Sequence, residues 1–207
     1  MQEQLSEILG SNVSRETLER FAHYQSLIIK WNPAINLVSK STIPDLWSRH
    51  FLDSAQMFAE TNLRSGIWLD IGSGGGFPGL VCAILAAEFS PEFRMHLVES
   101  DQRKSIFLST VARELSLNVE VHATRIEALE PARANVLSAR ALASLDLLLE
   151  FAERHLLEDG TALFSKGETW KNEVVAAKDK WRFECDPIQS YTNEAAAILR
   201  ISGVSRV

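Results

Sequence analysis

Apolar residues recur at helical spacing through the first sixty positions. Leu18, Phe21, Ala22, Leu27, Ile28 and Trp31 fall at intervals that predict an amphipathic helix, with Ser14 as its N-cap. Pro33 is expected to break it, because proline lacks the amide proton a helix interior uses. A further helix is predicted from Pro44, a residue suited to a first turn, to about Ala59. Its apolar positions are Leu46, Trp47, Phe51, Leu52, Ala55 and Phe58. Residues 1–60 therefore read as a helical cap, and residues 61–207 as the core it packs on, one structural domain overall.

The texture changes at Gly66. Short apolar runs over Ile67–Ile71, Arg94–Glu99, Val119–Ala123, Asn135–Ala139 and Thr161–Ser165 predict strands. Helical patterns lie between them: Leu80–Glu88, Asp101–Leu115 with Asp101 as its cap, Leu145–Leu156 and Thr169–Lys180. Arg182–Gln189 and Ala196–Ser202 could close the chain as an antiparallel pair. Strand and helix alternate throughout 66–170, so the fold class is α/β: a mainly parallel sheet with helices on both faces. Ligands of such sheets bind beyond the C-terminal strand ends, where the strand order reverses.

Composition narrows this picture only slightly. The chain has 207 residues, 46% hydrophobic and 23% charged, which suits one soluble domain. The N-terminus lacks a signal pattern, and the apolar run Leu80–Ala87 is too short to span a bilayer, so a cytoplasmic protein is expected. Cys82 and Cys185 read as reduced thiols. His23, His50, His96, His122 and His155 show no ligand spacing with one another or with either cysteine, and no metal site is expected. A net charge of −6 argues against a chain that binds nucleic acid over its whole surface. A local basic face stays open, since phosphate affinity depends on where cations cluster.

The chemistry concentrates in Asp70-Ile-Gly72-Ser-Gly74-Gly75-Gly76-Phe77-Pro78-Gly79. This loop follows a predicted strand and precedes a predicted helix. Glycines permit a tight turn and close ligand approach, and the helix N-terminus offers unpaired amides. Glu99 ends the next strand, where an acid can accept both hydroxyls of a ribose. Dinucleotide and S-adenosylmethionine sites share this geometry, and Gly74–Gly79 even satisfies G-x-G-x-x-G. Asp70 discriminates between them: Asp-x-Gly-x-Gly resembles the first motif of class I S-adenosylmethionine-dependent methyltransferases. In that pattern, Thr124-Arg125-Ile126-Glu127 would line the adenine, with Ile126 packing on the ring and Glu127 at its edge.

Further strings point the same way: Asn32-Pro-Ala-Ile-Asn36-Leu37, Arg49-His50-Phe-Leu-Asp53-Ser54, the Phe77-Pro78-Gly79 loop ending, Ser138-Ala-Arg140-Ala141 and Lys166-Gly167. In this order and spacing they resemble the RsmG family, also called glucose-inhibited division protein B, over almost the whole chain. Val38 departs from the pattern, standing where that family commonly has Thr. The resemblance implies methylation of N7 of a guanine in 16S ribosomal RNA near the decoding centre. It also implies S-adenosylmethionine as cofactor, the small ribosomal subunit as partner, and a monomer that uses neither metal nor membrane.

Guanine N7 carries an in-plane lone pair and no proton, so its methylation calls for positioning rather than a general base. Guanine O6 is then the handle for a donor. Arg140 and Lys166, at predicted strand ends, are the candidates to hold it, and Asn36 and His50 complete the positioning set. His50 and Asp53 share a helix face and could bond each other. Arg140 is also a candidate cofactor contact, with Asp70, Gly72, Gly74, Phe77, Glu99, Ile126 and Glu127. Arg15, Arg20, Lys30, Lys40, Arg49, Arg103, Lys104, Arg125 and Arg133 could form a basic rim. Three rivals remain: a methyltransferase acting on a small molecule or another RNA, a nicotinamide oxidoreductase, and a non-catalytic RNA-binding module.

Overall fold

β1 (Ser65–Ile71) lies inside a seven-stranded sheet of order β3-β2-β1-β4-β5-β7-β6. The computed structural model describes residues 2–207. β2 (Glu92–Val98), β3 (Val119–His122), β4 (Ala134–Arg140) and β5 (Leu156–Lys166) join β1 in parallel. β6 (Trp181–Gln189) and β7 (Ala197–Arg206) form the antiparallel end expected of the chain terminus, β7 pairing with β5. The order reverses between β1 and β4, so the loops after these two strands diverge and open a crevice.

Two apolar layers cover the sheet. One carries α4 (Gly79–Phe89), α5 (Gln102–Glu114) and the N-terminal helices; the other carries α6 (Leu145–His155) and α7 (Trp170–Ala177). α4 is apolar all round and buried from Gly79 to Ala86, because it is sandwiched between the sheet and the N-terminal helices. Asp101 caps α5 as expected, accepting from the amides of Arg103 (2.8 Å) and Lys104 (3.2 Å).

The N-terminal segment holds α1 (Gln2–Leu9), α2 (Arg15–Ile35) and α3 (Asp53–Ala59). Ser14 caps α2, its Oγ accepting from the Thr17 amide at 3.2 Å. Pro33 does not break this helix, contrary to expectation: α2 runs on to Ile35. Pro33 sits in the last turn on the solvent side, where its fixed φ is already helical and water can serve the carbonyl it leaves free. Asn36 ends the helix in the left-handed region at φ 48°, its N–H on Asn32 O. The helix expected from Pro44 starts later. Residues 47–52 wind as a π-helical turn that continues into α3.

Candidate active site

The cofactor-type loop is set by a buried acid. Asp70, at the end of β1, is fully buried, and its Oδ2 accepts from the Gly79 amide at the start of α4 (3.2 Å). Its Oδ1 accepts from Ser138 Oγ on β4 (2.6 Å), and Trp68 Nε1 donates to that same hydroxyl (2.9 Å). A negative group at a helix N-terminus is electrostatically favoured. Burial nevertheless pushes its carboxyl up to about 6, against the lowering effect of those hydrogen bonds. Gly79 must be glycine here, since a Cβ would sit 2.6 Å from Asp70 Oδ2. Asp70 therefore lies beneath the loop and shapes it. It is not on the wall of the cleft, where a cofactor contact was expected.

That cleft has a volume of about 470 Å³, in the range of small-molecule sites. Gly72, Gly74 and Phe77 line it on the β1 side, and Glu99 on the β2 side. Glu99 Oε2 accepts from the Gly74 amide and Oε1 from the Asp101 amide, both at 2.8 Å. These bonds fix a carboxylate at the rim with lone pairs still free for hydroxyl donors. Ile126 and Glu127 line the far end, in the turn after β3. The cradle, the ordered acid and an apolar Ile126 suit the amino-acid, ribose and adenine parts of S-adenosylmethionine.

Arg140, His50 and Asp53 form the other wall. Arg140 Nη1 donates to Asp53 Oδ2 (3.2 Å) and to the Arg49 carbonyl (3.1 Å), while Nη2 donates to His50 Nδ1. His50 Nε2 lies 3.0 Å from Thr42 Oγ1. Arg140 as donor to Nδ1 places the proton on Nε2. Burial, then the charges of Arg140 and Arg49, lower the imidazole to about 3, so His50 is neutral at physiological pH. His50 and Asp53 do not bond each other, because Arg140 lies between them and takes both. Asp53 Oδ1 also faces Ser190 Oγ (3.3 Å) and Thr192 Oγ1 (3.4 Å), fastening α3 to the loop between β6 and β7.

A second cleft of about 480 Å³ opens beyond Arg140, which lines both. Arg49, Asp53 and Lys166 line this second space, with Ser190, Thr192 and Asn193. Lys166 is engaged there rather than free: Nζ lies 2.6 Å from Glu173 Oε2 and donates to the Ala143 carbonyl at 2.9 Å. Asn36 does not reach either cleft; it is exposed at the end of α2. Of the basic rim, Lys104 and Arg125 line the first cleft and Arg49 the second. Arg15 and Arg20 instead pair with Glu19 and Glu16 along α2.

Tyr24 is a support of the site that the sequence pattern did not single out. It is buried in α2, and its Oη donates to the Gly75 carbonyl at 2.5 Å, tying α2 to the glycine loop. Gly76, at φ 95°, passes against that hydroxyl with no room for a side chain. Phe77 completes the link, its ring 5.5 Å from Tyr24, 5.3 Å from Phe51 and 5.0 Å from His50. The only available signal was a polar-tipped ring three residues after Phe21, on the apolar side of α2.

Comparison with known proteins agrees with this architecture. A S-adenosylmethionine-dependent methyltransferase structure from Aquifex aeolicus superposes with a TM-score of 0.59 at 13% identity, covering 76% of this chain and 93% of that one. Fold and cleft define a class I S-adenosylmethionine-dependent methyltransferase. The family described as rRNA small subunit methyltransferase G, GidB, matches residues 17–197. A relative of that name from Ruegeria sp. (strain TM1040) is 57% identical over 199 residues, 96% of this chain and 97% of its own. Another from Rhodospirillum centenum is 49% identical, covering 93% of this chain and 87% of its own. The chain belongs to the rRNA small subunit methyltransferase G family.

Proposed function

We propose that the chain transfers the methyl group of S-adenosylmethionine to N7 of a guanine in 16S ribosomal RNA, near the decoding centre. The observation that carries this reading is the pair of clefts meeting at Arg140, in a chain of this family. Bound S-adenosylmethionine supplies an electrophilic methyl carbon on its sulfonium. Gly72, Gly74 and Phe77 would hold the amino-acid end, Glu99 the ribose hydroxyls, and Ile126 with Glu127 the adenine. Asp70 would act beneath them by shaping the loop.

The second cleft would take the base. Arg140 is a donor whose own partners fix its direction, so it suits guanine O6 while N7 stays free. Lys166, Asp53 and His50 hold the walls through the bonds described above. No residue needs to remove a proton, because N7 carries none. A neutral His50 fits that chemistry, since it adds no charge beside a base that becomes cationic. The wall's work is orientation and exclusion of water, which can supply several kcal/mol of a barrier.

N7 of a paired guanine in A-form RNA faces a deep, narrow groove. The target is therefore read as unstacked, or presented by folded RNA of the small subunit, the chain's partner. We read the chain as cytoplasmic and monomeric, with residues 1–60 as cap and 61–207 as core. No helix among the described residues is long and apolar enough to cross a membrane.

The test is transfer of labelled methyl groups to small ribosomal subunits from cells lacking this protein, set against subunits from normal cells. Label is expected in the RNA of the deficient subunits alone. Glu99→Ala should remove it by weakening cofactor binding about tenfold or more, the scale of a lost charged hydrogen bond. Binding of cofactor without label in either subunit preparation would overturn the substrate assignment.

A further inference from the structure

β3 is an edge strand of the sheet, and its connection to β4 holds only a single 3-10 turn, Ile126–Ala128, where the neighbouring connections hold α-helices. The helices of the second layer pack further along, with α6 over β4, β5 and β7. The face of β2 and β3 on this side is therefore only partly covered, with the His96 and His122 side chains 20% and 22% exposed. His96 on β2 is in register with Glu120 on β3, and His122 stands two residues beyond Glu120, so all three side chains share that face.

Their ligating atoms converge. His96 Nδ1 lies 2.9 Å from His122 Nε2, and the two rings stack at 5.2 Å and 11°. A carboxylate oxygen of Glu120 lies 3.9 Å from His96 Nδ1, and the other lies 3.8 Å from His122 Nε2. We propose that His96, Glu120 and His122 form a three-ligand site for Zn²⁺ or a similar borderline divalent transition metal. In a tetrahedral zinc site, with N and O ligands at roughly 2.0–2.2 Å, ligand atoms stand about 3.4 Å apart. The three separations here straddle that value, so small side-chain rotations suffice. The fourth position faces solvent, where water or an anion completes the shell.

The chemistry of the donors agrees. Two imidazoles and one carboxylate are an N/O donor set that zinc and similar borderline metals accept. Arg94, two residues before His96 on the same strand face, opposes a cation, and the Glu120 carboxylate offsets it. Linear spacing could not reveal the set, because one imidazole comes from β2 and the other two ligands from β3. Without metal the rings share one hydrogen bond. With metal, β3 is clamped to β2 at His96, three residues before Glu99, whose amide donates to the His122 carbonyl at 3.1 Å. The site would thus steady the strand ends that present Glu99 to the first cleft.

The experiment is calorimetric titration of the untagged full chain with ZnCl₂, paired with the visible spectrum of the Co²⁺-loaded protein. One equivalent is expected, with cobalt bands of tetrahedral intensity. His96→Gln and His122→Gln should each weaken binding at least about tenfold, a common scale for disturbed metal sites. His23→Gln and Cys185→Ser, at a distant histidine and at the half-exposed thiol, should leave the titration unchanged. Circular dichroism shows whether each variant is folded. One-equivalent binding that survives both His96→Gln and His122→Gln would overturn the proposal, as would no binding with zinc in excess over protein.

Discussion

Asp70 takes two hydrogen bonds out of contact with water and holds the start of α4 against the end of β1. Its carboxyl, ordinarily at 3.8, stands at about 6 because burial disfavours its charge. The folded state therefore binds a proton through a range where the unfolded chain does not. The stability this group contributes is full below about pH 4 and is lost as pH rises through about 6. Relative to Asp70→Asn, the wild type should lose up to about 3 kcal/mol between pH 4 and 7, read from urea midpoints. Cofactor affinity should run the other way. The ionised acid accepts from both Ser138 and Gly79, so wild-type binding should strengthen between pH 5 and 7, and Asp70→Asn should lack that rise. Equal slopes for the two proteins would show that Asp70 does not titrate in this range.

Arg140 is the second residue on which the site depends. Arg140→Ala would strand the buried Asp53 without its cation, a loss of about 3–5 kcal/mol measurable by chemical denaturation. Arg140→Lys keeps a charge but cannot span Asp53, His50 and the Arg49 carbonyl together. It should lower kcat at least about tenfold while leaving cofactor affinity within about threefold, since orientation is what it loses. The place of Asp70 and Arg140 at strand ends was legible, but their geometry was not. Whether an acid faces a cleft or lies under it depends on which atoms the neighbouring strand brings, here Ser138 of β4. Lys166 was placed at the correct strand end, yet Glu173 and Ala143 O engage it, and Glu173 is on a separate helix.

At the scale of elements, alternation of apolar runs and amphipathic stretches was enough to read the α/β class and the terminal antiparallel pair. Boundaries were less legible where geometry is unusual. Pro33 reads as a stop because the rule concerns helix interiors, and a last turn open to water escapes it. The π-helical turn at 47–52 has no sequence signature. It is the segment that carries Arg49 and His50 to Arg140, and extra-residue turns of this kind occur at functional sites. The bond from Tyr24 couples α2 to the glycine loop after β1. Tyr24→Phe should leave the buried Gly75 carbonyl without a partner, costing about 1–3 kcal/mol in stability. It should also weaken cofactor binding, visible by calorimetry, because the loop would lose one of its supports. Unchanged binding would mean that Gly75 is held by the rest of the loop.

The whole molecule joins an acidic chain to an RNA substrate. With a net charge of −6, the cations that line the clefts, Arg49, Lys104 and Arg125 among them, are the ones placed to meet a phosphate. Composition could not show this, since it counts charges without placing them, and pairs such as Arg15 with Glu19 spend cations elsewhere. Few phosphate contacts favour a substrate whose shape supplies the specificity, which is what a folded subunit offers. The proposed role of the two clefts at Arg140 is to bring the cofactor methyl to guanine N7. It is tested most directly by identifying the methylated nucleoside after small subunits from deficient cells react with this protein and labelled S-adenosylmethionine. The label is expected as 7-methylguanosine, at no more than one per subunit. Label in any other methylated nucleoside, or spread over many guanines, would contradict it.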